Sequence, residues 1–295
     1  MIIAKSQTST IPHQSKTPAL SLARQFDKAA SSYDASAFVQ AQVIERLCKQ
    51  ITENRILKTA TPRNNVAYFV DIGSGTGALY RSLNQVCEKK CEDTRQHWLN
   101  IDLSHGMLRH SQSSLPNLDE KGLAAHRPKP YYIQADANKL PFIEASVQNV
   151  YSSMALQWCN SPSVALNEIA RVLIPRGQAH LALMVAPSFS HVKACWDQAG
   201  YMPRVNDFHT SEAWLDALPS RLSLKSNSLI SIAQKFDSLK DLLMSIKSVG
   251  ANTTMQQKSR YMSKQEYQSV EQCIRMSEKG LLLNYEVLFL HLQKQ

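Results

Sequence analysis

The chain has 295 residues, of which 43% are hydrophobic and 19% are charged, and its formal net charge at pH 7 is +9. This is ordinary globular usage, so it excludes a chain that is disordered throughout, and a content of only 9 glycines excludes a collagen-like repeat. No apolar run approaches the roughly 18 residues that a membrane-spanning helix needs. The positive charge favours acidic partners, but the basic residues are scattered, so we expect no nucleic-acid and no membrane partner.

The first 20 residues are predicted to be a flexible tail, followed by a single domain over residues 21–295. The tail is rich in serine and threonine and lacks the apolar segment of a secretion signal. The six cysteines show neither metal-ligand spacing nor the density of a disulfide framework, so no metal site is predicted. Reduced thiols and the absence of a signal predict a cytoplasmic protein. Apolar residues at helical spacing predict helices between Ser21 and Leu57.

From residue 66 onwards, short apolar segments alternate with helical ones. Strands are predicted at 66–70, 98–101, 131–134, 147–153 and 179–185, with helices at 78–86, after Ser104 and at 163–173. This alternation predicts an α/β fold, a doubly wound, Rossmann-like and mostly parallel sheet with helices on both faces. Two segments, 88–97 and 111–130, are predicted to be exposed insertions.

The last third of the chain is less regular. Helices are predicted at 191–201, 211–218, 239–249 and 263–277, and strands at 221–236 and 281–290. These segments predict a C-terminal helical cap together with strands that complete the same sheet.

The most specific motif follows the first strand and reads Asp71-Ile-Gly73-Ser-Gly75-Thr-Gly77. Glycines at this place let the backbone turn sharply and let a ligand approach closely. Gly73 and Gly75, with Ala78, also satisfy the pattern of a dinucleotide site, where a helix N-terminus meets a pyrophosphate. Asp71 would repel a pyrophosphate and would attract the ammonium group of S-adenosylmethionine. The motif therefore favours S-adenosylmethionine and leaves NAD as an alternative.

Two more acidic residues end later strands. Asp102 ends the second strand, where a carboxylate can accept hydrogen bonds from both ribose hydroxyls. Asp136 ends the third strand, where it can accept a hydrogen bond from the adenine amino group, and Met107 can pack against the adenine face. A second acidic residue that is placed to bind the nucleoside, Asp136, favours a methyltransferase over a dehydrogenase.

Together these sites resemble the class I S-adenosylmethionine-dependent methyltransferases over about residues 65–187. The resemblance predicts that S-adenosylmethionine is bound there. It assigns the cofactor to Asp71, Gly73, Gly75, Gly77, Asp102, Met107, Asp136 and Ala137.

Shorter strings outside this core are similar to the malonyl-acyl carrier protein O-methyltransferases of biotin synthesis, the BioC family. These strings begin at Phe26, Ser152, Val205, Leu242 and Leu283, and they extend the resemblance to about residues 24–292. The chain departs from that family at Arg204, where a histidine is common, and at Asn284, where a threonine is usual.

The resemblance implies a helical lid over residues 21–58, a cofactor-binding core over 65–187, a cap and substrate region over 188–280 and a final strand over 281–293. Tyr33 and Gln40 would cover the cofactor, and Ser153 and Leu156 would contact it. Tyr33, Gln157 and Arg204 are expected to be catalytic, with Arg204 preferred over Arg24 and Lys28 as the partner of the substrate carboxylate. That list of candidates follows from position along the chain and from the ability of arginine to pair with both oxygens of a carboxylate.

The implied reaction methylates the free carboxylate of malonyl-acyl carrier protein or malonyl-CoA, an early step of biotin synthesis. An acidic carrier protein would suit the positive net charge. The alternatives are another small-molecule methyltransferase that acts on a carboxylate or a nitrogen, and a relative that binds S-adenosylmethionine without methylating, such as a hydroxylase or an assembly factor. An NAD-dependent dehydrogenase is the remaining alternative.

Overall fold

The computed structural model describes residues 18–53, 66–87, 96–115, 129–159, 161–248 and 262–295. Within these residues a seven-stranded sheet has the order β3-β2-β1-β4-β5-β7-β6. The strands are β1 (Ala67–Ile72), β2 (Gln96–Asp102), β3 (Tyr131–Gln134), β4 (Val147–Ser153), β5 (Leu173–Val185), β6 (Leu222–Lys235) and β7 (Leu282–Lys294).

The first five strands are parallel, and β7 and β6 complete the sheet as antiparallel neighbours of β5. The prediction of a doubly wound, mostly parallel sheet that the C-terminal strands finish is therefore confirmed. Strand β5 begins at Leu173, earlier than the predicted start at residue 179. Leu173 pairs with Val147 ahead of a register shift, so the segment around Pro175 belongs to the strand.

Ten helices accompany these strands in the described part of the chain. They are α1 (Pro18–Ala29), α2 (Tyr33–Ser36), α3 (Phe38–Glu53), α4 (Ala78–Cys87), α5 (His105–Ser113), α6 (Pro162–Val172), α7 (Ser190–Gln198), α8 (Ser211–Asp216), α9 (Leu239–Ser248) and α10 (Lys264–Met276). None of the helices in the ranges given above is long and apolar enough to cross a membrane.

The predicted N-terminal helical region forms three helices, and α1 begins inside the segment that was expected to be a tail. The rest of that tail, residues 1–17, lies outside the described residues. The same is true of 54–65, of 88–95 and 116–128 within the predicted insertions, and of the expected helix stop at Gly250.

Two apolar clusters cover the two faces of the sheet. One cluster joins α3, α4, α7, α9 and α10 to the sheet, with Val43, Trp196 and Ile274 fully buried. The other joins α6 and α8, with Leu166 and Trp214 buried. Because β1, β2, β3 and β4 are parallel, their carboxyl ends lie along one edge, where open α/β sheets bind ligands.

Candidate functional site

Three adjoining cavities lie at this edge of the sheet, below the N-terminal helices. The large cavity encloses about 910 Å³ of empty space, including space open to solvent, which is within the usual ligand-site range of roughly 300–1,000 Å³. Its walls include Phe26, Tyr33, Gly73, Gly75, Asp102, Met107, Asp136, Ala137, Ser153, Leu156 and Trp158.

Two further cavities adjoin the large one. The glycine-loop cavity is lined by residues that include Tyr33, Asp34, Gln40, Asp71, Gly73, Gly75, Thr76, Arg81 and Ser153. The inner cavity is lined by Phe26, Tyr33, Gln40, Met154, Gln157, Trp158, Met184, Phe189, Ile246 and Tyr285. Tyr33 lines all three cavities, so its side chain stands where they meet.

The glycine loop connects β1 to α4, and two of its glycines are fixed by close packing. Gly73 has φ +69°, and a Cβ atom there would lie 2.1 Å from the Cβ of Ala155. Gly77 has φ +79°, and a Cβ atom there would lie 2.2 Å from Oγ of Ser111 on α5. Gly77 is absent from the walls of the three cavities and packs under α5, where it lets the loop and the helix approach, so its assignment as a cofactor ligand stays a prediction.

Asp102, at the end of β2, connects the glycine loop to the start of α5. One carboxylate oxygen accepts a hydrogen bond of 2.9 Å from the N–H of Gly75, and the other accepts one of 2.8 Å from the N–H of Ser104. Burial raises the pKa of the Asp102 carboxyl to about 6, although these backbone donors act to lower it. The prediction that Asp102 faces a ligand remains a prediction, and its place in the wall of the large cavity supports it.

Asp71, at the end of β1, is a buried carboxyl group that forms no ion pair with the residues that the structure describes. It is 1% exposed, and Oδ2 has no hydrogen-bond partner among the described residues. Burial, with the neighbouring charge of Asp102, raises the pKa of Asp71 to about 8. A cation that entered the glycine-loop cavity would pair with this carboxyl group and would favour its ionised form.

The remaining predicted contacts lie on the far wall of the large cavity. Oδ1 of Asp136 accepts hydrogen bonds from the backbone and side-chain nitrogens of Asn138, at 2.8 and 2.7 Å. Met107 is 1% exposed and packs against Ala29 and Ala30 of the N-terminal helices. This wall combines apolar side chains with a carboxylate acceptor, and both kinds of group can contact a purine ring.

The inner cavity is walled mainly by aromatic and sulfur-containing side chains. The ring of Trp158 meets Phe26 edge-on at 6.3 Å and Phe208 at 6.0 Å. Nε2 of Gln157 donates a hydrogen bond of 2.8 Å to the carbonyl of Met154, while Oε1 is buried without a partner among the described residues. None of the described residues that line this cavity carries a charge. Its hydrogen-bonding groups are therefore neutral.

The prediction that Arg204 pairs with a substrate carboxylate does not fit the structure. Its Nε and Nη2 atoms donate to the two carboxylate oxygens of Glu266 on α10, at 2.6 and 2.8 Å. Glu266 is only 7% exposed, and Arg204 lies in none of the three cavity walls. The guanidinium group therefore satisfies a buried carboxylate of the cap.

We expect Arg204→Met to reduce the free energy of unfolding by about 3 kcal/mol, because it leaves the buried Glu266 carboxylate unpaired. The catalytic efficiency of the folded variant should stay within about threefold of the parent, roughly 0.7 kcal/mol. Lys193→Met is the control, since it breaks an ion pair with Asp207, whose side chain is 92% exposed. Urea unfolding with steady-state kinetics checks both, and a large loss of activity at unchanged stability would contradict the structural role.

Sequence reasoning assigned no site role to Asp34, Thr76 or Arg81, which line the glycine-loop cavity. Thr76 and Arg81 both contact Asp34, a residue of the N-terminal helices. Arg81 lies on the first turn of α4, one helical turn after Gly77, and that spacing is the signal that could have placed it beside the loop.

The acidic groups of the site fit S-adenosylmethionine better than a dinucleotide. The glycine-loop cavity holds an unpaired buried carboxyl group at Asp71, and Asp102 lies beside it. A ligand with an ammonium and a sulfonium group would be attracted there, whereas a pyrophosphate would be repelled. The cavity wall that includes Met107 and Asp136 is consistent with the binding of an adenosine moiety there.

Residues 70–181 match a family model described as a methyltransferase domain. Among curated proteins, the chain is 29% identical to the malonyl-[acyl-carrier protein] O-methyltransferase of Marinomonas sp. over 92% of this chain and 93% of that protein. It is 29% identical to the protein of the same name from Erwinia pyrifoliae, over 90% of each chain. It is also 27% identical to the biotin biosynthesis bifunctional protein BioHC of Cellvibrio japonicus, over 92% of this chain and 50% of that protein.

Two solved structures share the fold. The YcgJ protein of Bacillus subtilis superposes with a TM-score of 0.53 at 15% sequence identity, covering 82% of this chain and 97% of that one. A putative methyltransferase from Bacillus halodurans gives a TM-score of 0.52 at 14% identity, with the same coverage of both chains. These likenesses confirm the predicted Rossmann-like methyltransferase fold.

Proposed function

We propose that this chain, which has the fold of the class I methyltransferases, is an S-adenosylmethionine-dependent carboxyl O-methyltransferase. Its substrate would be the free carboxylate of malonyl-acyl carrier protein, or of malonyl-CoA, which becomes the methyl ester. The observation that carries the proposal is the similarity to malonyl-[acyl-carrier protein] O-methyltransferases along nine-tenths of the chain, lid and cap included. Another small-molecule substrate would not by itself call for similarity in those outer segments.

The placement of the three cavities supports this assignment. Bound S-adenosylmethionine supplies an electrophilic methyl group on a positively charged sulfur. Asp71 would pair with the ammonium group, Asp102 with the ribose, and Asp136 with the adenine. The inner cavity, which adjoins the large cavity at Tyr33, would then receive the methyl acceptor.

A carboxylate acceptor would need no general base, and none of the described residues that line the inner cavity is a charged acid or base. A carboxyl group has a pKa near 4 in water, so it is already ionised and nucleophilic at neutral pH. The protein must hold the oxygen in line with the methyl group and exclude water, and such positioning can supply up to about 7–11 kcal/mol. The apolar wall formed by Phe26, Trp158 and Phe189 serves the exclusion of water.

The neutral lining also determines how the acceptor carboxylate would be held. Tyr33, Gln157 and Tyr285 offer neutral polar groups to the inner cavity. An arginine would neutralise the carboxylate and lower its nucleophilicity, whereas neutral donors orient it and leave the sulfonium as its counter-charge. On this proposal the methyl acceptor is attracted by the cofactor and oriented by the protein.

The partner would be the acidic carrier protein, which the net charge of +9 would attract from a distance. This attraction should weaken with salt, because the Debye length falls to roughly 8 Å at physiological ionic strength. We place the reaction in the cytoplasm, with no nucleic-acid or membrane partner.

We expect Tyr33→Phe to lower kcat by roughly tenfold, the usual effect of losing a hydrogen bond to a charged group. Burial and the charges of Asp102 and Asp34 raise the pKa of the Tyr33 hydroxyl, so it remains a protonated donor at any physiological pH. Because the ring is retained, the Kd for S-adenosylhomocysteine should change by less than about threefold. Single-turnover kinetics with calorimetry measures both, and an effect confined to the Kd would contradict a role toward the acceptor.

The proposed substrate can be tested by following S-adenosylhomocysteine formation with a panel of acceptors. Malonyl-carrier and malonyl-CoA should be methylated, and acetyl-carrier, which lacks the free carboxylate, should not be. Free malonate tests whether the thioester arm is needed. Turnover with acetyl-carrier, or with free malonate alone, would overturn the proposal.

A further inference from the structure

Two carboxylates connect the N-terminal helices α1 and α2 to the two loops of the candidate cofactor site. Here the lid means these two helices, without α3, which also falls in the lid predicted over residues 21–58. Asp27 lies near the end of α1 and Asp34 lies in α2. The first contacts the loop between β2 and α5, and the second contacts the loop between β1 and α4. These are the two loops that carry Asp102 and the glycine motif.

Asp27 fastens α1 to the start of α5. Its Oδ1 atom accepts a hydrogen bond of 2.6 Å from the hydroxyl of Ser104 and one of 2.7 Å from the N–H of Gly106. A Cβ atom on Gly106 would lie 2.9 Å from both the Cα and the Oδ1 of Asp27. The close approach of the lid therefore depends on the absence of a side chain at Gly106.

Asp34 fastens α2 to the start of α4. Its Oδ1 atom accepts a hydrogen bond of 2.6 Å from the hydroxyl of Thr76, and its Oδ2 atom lies 3.0 Å from Nη2 of Arg81. The guanidinium group of Arg81 also donates to the carbonyl of Thr76. A single carboxylate thus joins the lid to the glycine loop at Thr76 and to the first turn of α4 at Arg81.

The loop residues that bond to the lid are the same as those that hold Asp102, or are their neighbours in the chain. Oδ1 of Asp102 accepts from the N–H of Ser104, whose hydroxyl donates to Asp27, and Oδ2 accepts from Gly75, the residue before Thr76. A cofactor that binds at Asp102 and at the glycine loop stabilises the loop conformation to which both lid carboxylates bond. Docking of the lid and binding of the cofactor would therefore stabilise the same conformation of the two loops. Thermodynamic linkage then requires that each of the two events favours the other.

The lid also provides a wall that both ligands need. Leu22, Phe26 and Tyr33 line the large cavity, and Phe26 and Tyr33 line the inner cavity as well. A docked lid would cover part of a bound cofactor, so we expect the cofactor to leave more slowly when the lid is docked. The inner cavity, by contrast, is incomplete unless the lid is docked.

We propose that Asp27 and Asp34 are positioning residues that fasten the lid to the two cofactor loops, so that the acceptor site is completed only after the cofactor has bound. The statement about the acceptor rests on the proposed function, whereas the coupling of lid and cofactor does not. The expected order is cofactor first, acceptor second, with S-adenosylhomocysteine released last.

The coupling can be measured without any acceptor. S-adenosylhomocysteine should protect the backbone amides of residues 22–36 from hydrogen exchange in the wild-type protein, and this protection should be largely lost in Asp27→Asn and Asp34→Asn. The dissociation rate of S-adenosylhomocysteine should rise by roughly tenfold in each variant, because each loses hydrogen bonds to a charged group. Asp197→Asn, which changes an exposed carboxylate on α7, should leave the protection and the rate unchanged.

Two variants on the loop side separate fastening from a general effect on folding. Thr76→Val removes the hydroxyl that Asp34 accepts from, and its effect on dissociation should not add to that of Asp34→Asn. Thr76→Ser keeps the hydroxyl and should restore wild-type dissociation. Unchanged lid protection in Asp27→Asn and Asp34→Asn, or fully additive effects of Thr76→Val and Asp34→Asn, would overturn the proposal.

The order of binding is tested with malonyl-carrier, titrated against the protein alone and against the protein saturated with S-adenosylhomocysteine. We expect binding at least about tenfold tighter in the second case, and a smaller difference in Asp34→Asn. Equal affinity in both cases would overturn the proposed order. If malonyl-carrier binds in neither case while the lid is still protected, the proposed substrate is wrong and the coupling of lid and cofactor is upheld.

Discussion

Asp71→Asn is expected to stabilise the cofactor-free protein and to weaken its binding of S-adenosylmethionine by roughly 100-fold, which corresponds to about 2.7 kcal/mol. The two effects have one cause. The Asp71 carboxyl group is buried, and one of its oxygens has no partner among the described residues. An asparagine removes the unfavourable buried charge, but it also removes the charge that would pair with the ammonium group of the cofactor.

The stabilisation should depend on pH in a definite direction. Burial raises the pKa of Asp71 from 3.8 to about 8, so between these values the folded protein keeps a proton that the unfolded chain has lost. The contribution of Asp71 to stability is therefore most favourable below its unfolded pKa, and it is lost as the pH rises towards the folded pKa. Asp71→Asn should show no such loss, so its advantage should grow to roughly 2–4 kcal/mol near pH 8.

Thermal unfolding at about pH 5 and about pH 8, with and without S-adenosylhomocysteine, tests this directly. The cofactor-free variant should melt above the parent at the higher pH, and added S-adenosylhomocysteine should reverse the order. Asp197→Asn, at an exposed site, should change neither result. A variant that binds S-adenosylhomocysteine as tightly as the parent would contradict the assignment of Asp71 to the ammonium group.

Gly73→Ala is expected to have the largest effect on folding, a loss of about 3 kcal/mol or more. The new Cβ atom would lie 2.1 Å from the Cβ of Ala155, and the backbone at φ +69° disfavours any side chain. No rotation of a side chain relieves this contact, because both atoms are fixed to the backbone. The loop between β1 and α4 would have to move away from the end of β4.

Gly75→Ala provides the matched comparison. Gly75 also has a positive φ, +52°, but no atom lies within 4 Å of the position of a Cβ there. We expect it to cost only about 1–2 kcal/mol of stability and to weaken cofactor binding because it fills the space that the ligand would occupy. Urea unfolding with calorimetry separates the two variants, and similar unfolding free energies for Gly73→Ala and Gly75→Ala would contradict this account of the loop.

The fold was largely predictable from the sequence because apolar strand segments alternate with helical segments along residues 66–185. Asp71 and Asp102 lie at the ends of β1 and β2, Asp136 follows β3 by two residues, and parallel pairing brings those strand ends to one edge. Strand-end position therefore predicted Asp102 and Asp136 as residues of the large cavity, whereas Tyr33, Ser153 and Leu156 were predicted from the family resemblance. The packing of Gly77 against α5 was not predicted, because a glycine beside a ligand and a glycine beside a helix give the same sequence pattern.

Interactions between distant segments could not be read from the sequence. Arg204 and Glu266 are 62 residues apart, and no local pattern shows that they form a pair. Likewise Asp27 is separated by 79 residues from Gly106, and Asp34 by 47 residues from Arg81, so the fastening of the lid was not visible. Such contacts depend on how the helices dock onto the sheet.

The most direct measurement is mass spectrometry of malonyl-carrier after incubation with the protein and S-adenosylmethionine that carries an isotopically labelled methyl group. The proposed function predicts one labelled methyl group on the malonyl arm, present as an ester that mild alkali removes. At a low cofactor concentration, the Asp71→Asn variant should leave the carrier unlabelled. A carrier that remains unmodified while the protein binds S-adenosylhomocysteine would contradict the proposed substrate. A label that resists alkali would contradict methylation of the carboxylate.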